Sequence, residues 1–285
     1  MSDYKEKLLT GTMYILASTI AVQIFHIVIS VVNARLLGPE YLGILSILRS
    51  IGVIVIPLIM CGIPIAMTKF IAEYKIKDKK TLDPIISTGF TTLVITSIAG
   101  SIIYFLLSDI IAIGIYHEPI LGLLIRINSI FILSSVLLNL GIAILQGFQK
   151  IRTIAILSVI NTSIGIPILY VFIIKMSLVG AVIAGVVSGI ISLILTLSLL
   201  KPLFRHENIK LNLKTDNKFF KKMVTFATPI TLSIFIVRPA YLFGITYLSL
   251  TQGFVDVGLF HIANSIYNIL LFVPGAMSVS LLPAI

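Results

Sequence analysis

Three arginines, Arg49, Arg126 and Arg238, lie inside long apolar runs of this 285-residue chain. A charge at the centre of a bilayer costs roughly 2.5–3.5 kcal/mol on insertion scales, so an intramembrane cation normally faces a cavity or a partner. Arg238 stands midway along the run Phe219–Leu250 and precedes Pro239, which lacks an N–H and can kink a helix. Arg49 falls near the outer third of its run with Ser46 on its face, where snorkelling to the interface competes with a cavity role. Arg126 shares a run with Asn128, Ser135, Asn139 and Gln146 but points about 160° away from that stripe at roughly 100° per residue.

A second pattern runs through Thr12, Thr19, Gln23, His26, Ser30 and Asn33. Their spacing puts all six on one helix face. Such a row lines a polar cavity or bonds helix to helix. Tyr241, three residues after Arg238, extends the same polar character to a distant part of the chain. The complementary observation is an absence: no Asp or Glu sits in the middle of an apolar run. Proton relays and cation sites in membranes are generally built on carboxylates. A cavity lined by Arg and neutral donors suits an anion instead, and guanidinium matches phosphate geometry. The expected substrate is anionic and phosphorylated. No Walker A or HExxH pattern occurs, so neither enzymatic activity, cofactor nor metal is expected. The lone Cys61 allows no intramolecular disulfide and reads as a packing residue.

The elements that must hold these residues are membrane helices. Of the residues, 58% are hydrophobic and 11% charged, too few charges to coat a soluble domain of this length. Eight runs are long enough to span: Leu8–Ala34, Leu42–Phe70, Pro84–Leu107, Ile120–Gln146, Ile154–Ile174, Leu178–Leu200, Phe219–Leu250 and Gly258–Ile285. Pro57, Gly62 and Pro64 interrupt the second. Sixteen of the 21 Lys and Arg residues fall in connections on one side, called here the basic face; Arg35 and Lys175 fall on the other, and three lie within spans. The positive-inside rule makes the basic face cytoplasmic, with the N-terminus there and the protein in the cell membrane. The net charge of +10 is then a topology signal toward membrane lipids, and no nucleic-acid partner is implied.

An offset of 215 residues superposes Leu36–Ile44 on Thr251–Leu259, aligning Gly38 with Gly253 and Gly43 with Gly258; it also pairs Gln23 with Arg238 and His26 with Tyr241. Six spans separate the copies, so they share orientation, as in parallel-repeat transporters with a site between two lobes. This divides the chain into a six-helix lobe (1–200), a cytoplasmic linker (201–218) and the first two helices of a second lobe (219–285). The apolar ending Leu281–Ile285 suggests that the second lobe is truncated.

The run Asn33-Ala34-Arg35-Leu36-Leu37-Gly38-Pro39-Glu40-Tyr41-Leu42-Gly43, followed by Gly62-Ile63-Pro64-Ile65-Ala66-Met67-Thr68-Lys69-Phe70, resembles the polysaccharide flippase branch of the multidrug/oligosaccharidyl-lipid/polysaccharide (MOP) exporter superfamily, near Wzx-type and stage V sporulation protein B-like members. The resemblance implies an all-α, V-shaped, two-lobed fold that moves undecaprenyl-pyrophosphate-linked sugars by alternating access. It also implies that cavity arginines, here Arg49 and Arg238 by placement, hold the pyrophosphate, with Arg126, Gln23, His26, Ser30, Asn33 and Tyr241 as further substrate contacts. Partners would be the lipid-linked oligosaccharide, membrane lipids and cell-envelope biosynthesis proteins. Two other readings stay open. A cation-coupled multidrug or metabolite exporter of the same fold would need a midmembrane carboxylate. A non-transporting membrane scaffold would depend on the basic linker rather than on the cavity cations.

Overall fold

The structure, a computed structural model, describes the backbone of residues 2–212 and 215–281, and their side chains except those of 2–12, 15, 235, 237, 238 and 269–281. Among the described residues it is all-helical: α1 (Ser2–Met60), α2 (Ile63–Lys77), α3 (Leu82–Leu106), α4 (Ser108–Gly114), α5 (Pro119–Gly147), α6 (Ile151–Glu207), α7 (Asn217–Thr251) and α8 (Phe254–Leu281). Five apolar stretches among them are long enough to cross a membrane. Two of these, in α1 (59 residues) and α6 (57 residues), far exceed one crossing and carry a non-helical residue near the middle.

Those residues convert each long helix into a hairpin. Gly38 has φ 73° and ψ 174°, a region open essentially only to glycine, and Pro39 then starts the next helical segment without needing an N–H partner. Ser177 does the same in α6 at φ 52° and ψ −126°. Gly165 and Ser188, on opposite sides of Ser177, face each other, so the two halves run back along one another. The sequence expects loops between the first and second spans and between the fifth and sixth; a single residue suffices at each place. The expected break in the second span is present: α1 ends at Met60, Cys61 and Gly62 both take positive φ, and Pro64 opens α2. Cys61 itself corrects the sequence reading, because it is exposed rather than packed, with its thiol donating to the Leu58 carbonyl.

The core gathers fully buried apolar residues from α1, α2, α3 and α5, among them Ile47, Met67, Ile85 and Val136. On the basic face, the segment after α6 is strapped to the start of α3. The amides of Lys210, Asn212 and Asp216 donate to Asp83, Ser87 and Thr88 at 3.2, 3.0 and 3.0 Å.

At the opposite ends of the helices, α1 and α8 meet backbone to backbone. A β-carbon on Gly43 would collide with the Phe254 carbonyl, and one on Gly258 would collide with the Pro39 carbonyl. The contact is reciprocal between positions 215 residues apart, and the Gly38 and Gly253 turns beside it both have positive φ. Small residues at such a crossing let two helices approach closely enough for van der Waals packing to hold them in lipid.

Candidate functional site

The polar face of the first half of α1 looks across to α8. Gln23, His26 and Ser30 line a hollow of about 680 Å³ whose far wall includes Ser265 and Asn268. Ser30 Oγ donates to Ser265 Oγ at 3.4 Å. Behind this wall, a second cavity of about 420 Å³ lies between α1, α5 and α6, lined by Arg49, Ser135, Asn161, Ser188 and Ser192. His26 borders both spaces.

Arg49 reaches the cavity because helix restarts at Pro39. Ten residues at 1.5 Å each put it roughly 15 Å below the turn, about half the thickness of a bilayer core. That is deeper than the sequence places it, too deep for easy snorkelling. Its side chain is exposed to open space rather than packed. Among the described residues the ion pairs include none to Arg49, so no carboxylate neutralises it. His26 and His261 both lie within its electrostatic reach.

Across the α1–α8 seam, Ser46 Oγ meets His261 Nδ1 at 3.1 Å; the two residues are 215 apart and so correspond in the repeat. The Tyr241 hydroxyl faces Ser46 and Asn264, and its ring packs at 6.2 Å from that of Phe260. Arg49, His26, Ser46, Tyr241, His261 and Asn264 therefore share one region. His261 and Asn264 are the residues that sequence reasoning missed. The offset of 215 could have found them, since it pairs them with Ser46 and Arg49.

Two expected site residues fall elsewhere. Asn33 continues the row by spacing, but it is fully buried near the Gly38 turn, with neither amide atom hydrogen-bonded. Its face meets protein there, not cavity. Arg126 pairs with Asp109, donates from Nε to Ser108 Oγ at 3.1 Å and lies over the Phe105 ring. That pair is exposed, so Arg126 ties α5 to α4 at the surface and does not join Arg49. The side chain of Arg238, like that of Thr12, lies outside the described residues; its backbone continues α7 one turn before Tyr241. In the α5 stripe, Ser135 reaches the cavity, whereas Asn139 bonds the Ser135 carbonyl and Gln146 bonds Thr68 of α2.

The arrangement is a guanidinium surrounded by neutral donors and acceptors at midmembrane depth. It can neutralise and hydrogen-bond an anion. Among the described residues no cluster of three or more His, Cys, Asp or Glu could hold a metal ion.

The sequence profile of a family described as polysaccharide biosynthesis proteins matches residues 8–285. The chain belongs to that family. No curated protein sequence matches it. Solved structures share its fold. An outward-facing multidrug resistance MATE family transporter of the MOP superfamily superposes with a TM-score of 0.77 at 17% identity, covering 94% of this chain and 61% of that one. The MATE multidrug transporter DinF-BH gives 0.75 at 10% identity, covering 97% and 64%. A MOP superfamily transporter from Pyrococcus furiosus Vc1, described as having a binding pocket of reversed polarity, gives 0.58 at 18% identity, covering 94% and 60%. The chain thus spans about three-fifths of the length of each. This member of the polysaccharide biosynthesis family is a multi-pass membrane protein with the helical fold of MOP exporters, and the Gly38–Pro39 turn and the Gly43–Gly258 crossing explain physically why its LGPExxG run has those residue types.

Proposed function

We propose that the protein transports an anionic, lipid-linked oligosaccharide, with an undecaprenyl-pyrophosphate carrier, across the cell membrane by alternating access. The observation that carries this reading is Arg49: a midmembrane guanidinium open to a cavity with no carboxylate partner among the described residues. An unpaired charge at that depth is costly, and a phosphate group would offset the cost through charge-assisted hydrogen bonds. On this reading Arg49 and Arg238 hold the pyrophosphate. Gln23, His26, Ser30, Tyr241, His261 and Asn264 bond phosphate or sugar oxygens, and the prenyl tail stays in lipid. Residues 1–200 form one lobe, 201–218 a cytoplasmic linker, and 219–285 the first two helices of a second, with the N-terminus cytoplasmic. Biosynthetic enzymes of the cell envelope would deliver the substrate.

The fold neighbours favour a second reading, a cation-coupled exporter of drugs or metabolites. That mechanism calls for a midmembrane Asp or Glu, and the spans of this chain contain none. The test is Arg49→Ala and Arg238→Ala in the full-length protein, assayed for translocation of a fluorescent prenyl-pyrophosphate oligosaccharide in proteoliposomes. Loss of translocation at normal membrane levels supports the anionic substrate. Undiminished translocation by both variants refutes it.

A further inference from the structure

On the basic face, away from the central cavity, α2 and α7 enclose a hollow of about 850 Å³ lined by Lys69, Lys218, Lys221 and Lys222. One carboxylate, Glu73, also lines it, and Lys77 claims that carboxylate at 2.9 Å. The Lys77 hydrogen bond holds the Glu73 carboxyl below its usual range, so it stays ionised and paired. Four ammonium groups therefore share the hollow with a single carboxylate, which Lys77 pairs and which also feels Lys69 and Lys222, so positive charge stays in excess.

Two of these lysines are held in place by the aromatic seam. Lys69 Nζ lies 3.9 Å from the centre of the Phe226 ring. Lys222 Nζ lies 4.8 and 4.9 Å from the Phe70 and Tyr74 rings and donates to the Tyr74 hydroxyl at 2.9 Å. The rings interlock across the seam, Phe70 with Phe226 at 5.8 Å and Tyr74 with Phe219 at 6.0 Å. Cation–π contact favours both positions, and each ammonium group carries three donors. Three cations in the opening turns of α7, where the helix dipole favours anions, add to the excess positive potential. The floor is apolar, formed by Phe70, Phe226 and Ile230.

We propose that this hollow is a second anion site, which binds the phosphate or pyrophosphate of a membrane-anchored headgroup between α2 and α7. The four lysines take the phosphate oxygens and the apolar floor takes the start of the lipid tail. The assignment to a transported pyrophosphate rests on the proposed function; the phosphate chemistry does not.

The test is binding to the purified full-length protein in nanodiscs, with geranyl diphosphate as the probe and with nanodiscs of zero or about one-third phosphatidylglycerol as the lipid arm. Lys69→Gln/Lys222→Gln should weaken geranyl diphosphate binding about tenfold or more, as expected for losing charge-assisted bonds. Lys69→Arg/Lys222→Arg should stay within about threefold of the parent, which separates loss of charge from misfolding. If the glutamine variant instead loses only the thermal stabilisation conferred by phosphatidylglycerol, the site holds phosphate from bulk lipid, and the substrate assignment falls. If the Lys69/Lys222 variant and a Lys218→Gln/Lys221→Gln variant both keep parental binding and parental lipid response, there is no site. Failure of the central-cavity reading would appear separately, as undiminished translocation by the Arg49 and Arg238 variants, and leaves this binding measurement unaffected.

Discussion

Arg49→Met separates a functional cation from a structural one by the sign of its effect. Methionine keeps an unbranched apolar stem like that of arginine and removes the guanidinium with its charge. Arg49 lies roughly 15 Å below the Gly38 turn, so the cost of a charge at the bilayer centre, about 2.5–3.5 kcal/mol, sets an upper limit on what its removal returns. The side chain opens into a cavity of about 420 Å³, where water recovers part of that cost. A gain of about 1–2 kcal/mol is then reasonable, or a rise of roughly 2–8 °C in Tm at 2–4 °C per kcal/mol. Function should move the other way. A charge-assisted hydrogen bond contributes about 1.5–3 kcal/mol, so losing it should weaken prenyl-pyrophosphate binding roughly 10- to 150-fold. Tm is read by fluorescence-detected size exclusion after heating in detergent, and binding by titration of the same preparation. A fall in Tm together with unchanged binding would refute the reasoning and make Arg49 a packing or ion-pair residue.

Gly43→Ala and Gly258→Ala each drive a β-carbon into a backbone carbonyl that cannot rotate away. Overpacking of this kind costs about 1–3 kcal/mol, so each variant should melt several degrees lower, and the double variant should not be additive because the two positions share one crossing. Asn33→Leu removes a buried amide with no hydrogen bond; replacing an unsatisfied polar group by an apolar one of similar shape should leave Tm unchanged or raise it, and a fall of several degrees would mean that the amide has a partner. The Thr81 hydroxyl and then the Lys80 amide hold the Asp78 carboxyl below its ordinary value. A depressed folded-state pKa contributes stability above the unfolded pKa and loses it as pH falls toward the folded value. Hydrogen exchange at the Lys80 amide should therefore be protected near neutrality and accelerate, beyond its intrinsic pH dependence, below about pH 4; Asp78→Asn should abolish that extra acceleration.

Hydropathy and charge made the spans legible because lipid demands both long apolar runs and internally satisfied backbones. They marked both turns, at Arg35–Glu40 and at Lys175, but could not show that Gly38 and Ser177 each reverse the chain in one residue, since that is a property of backbone φ and ψ rather than of hydropathy. Periodicity put Gln23, His26, Ser30 and Asn33 on one face correctly. It could not say what that face meets, and near the Gly38 turn it meets protein, which buries Asn33. Arg126 shows the same limit: its partner Asp109 lies on α4, 17 residues earlier, a pairing that only the tertiary arrangement creates. His261 was readable through the repeat, but the similarity between copies is thin beyond the glycines and the match of Ser46 to a histidine carries no weight until the two are seen in contact.

The two seams between the early helices and α7–α8 lie on opposite sides of Arg49. The backbone crossing at Gly43 is six residues away, roughly 9 Å, and the Phe70–Phe226 stack is 21 residues away, up to about 31 Å along the helix. An alternating-access cycle must part them in turn. Parting the basic-face seam uncovers Phe70 and Phe219, 3% and 8% exposed now. At about 1.5–3 kcal/mol for each large apolar side chain, the cost is at most about 3–6 kcal/mol. A closed seam should then predominate until a ligand binds the open form better, by a factor of up to about 10²–10⁴. In a Cys61→Ser background, Tyr74→Cys/Phe219→Cys joined by a short cleavable thiol crosslinker should stop translocation, and cleaving the linker should restore it. The same pair left unlinked controls for loss of the aromatic contact. Translocation at the parental rate with the crosslink intact would show that this seam never opens, and would leave the four lysines beside it outside any transport path.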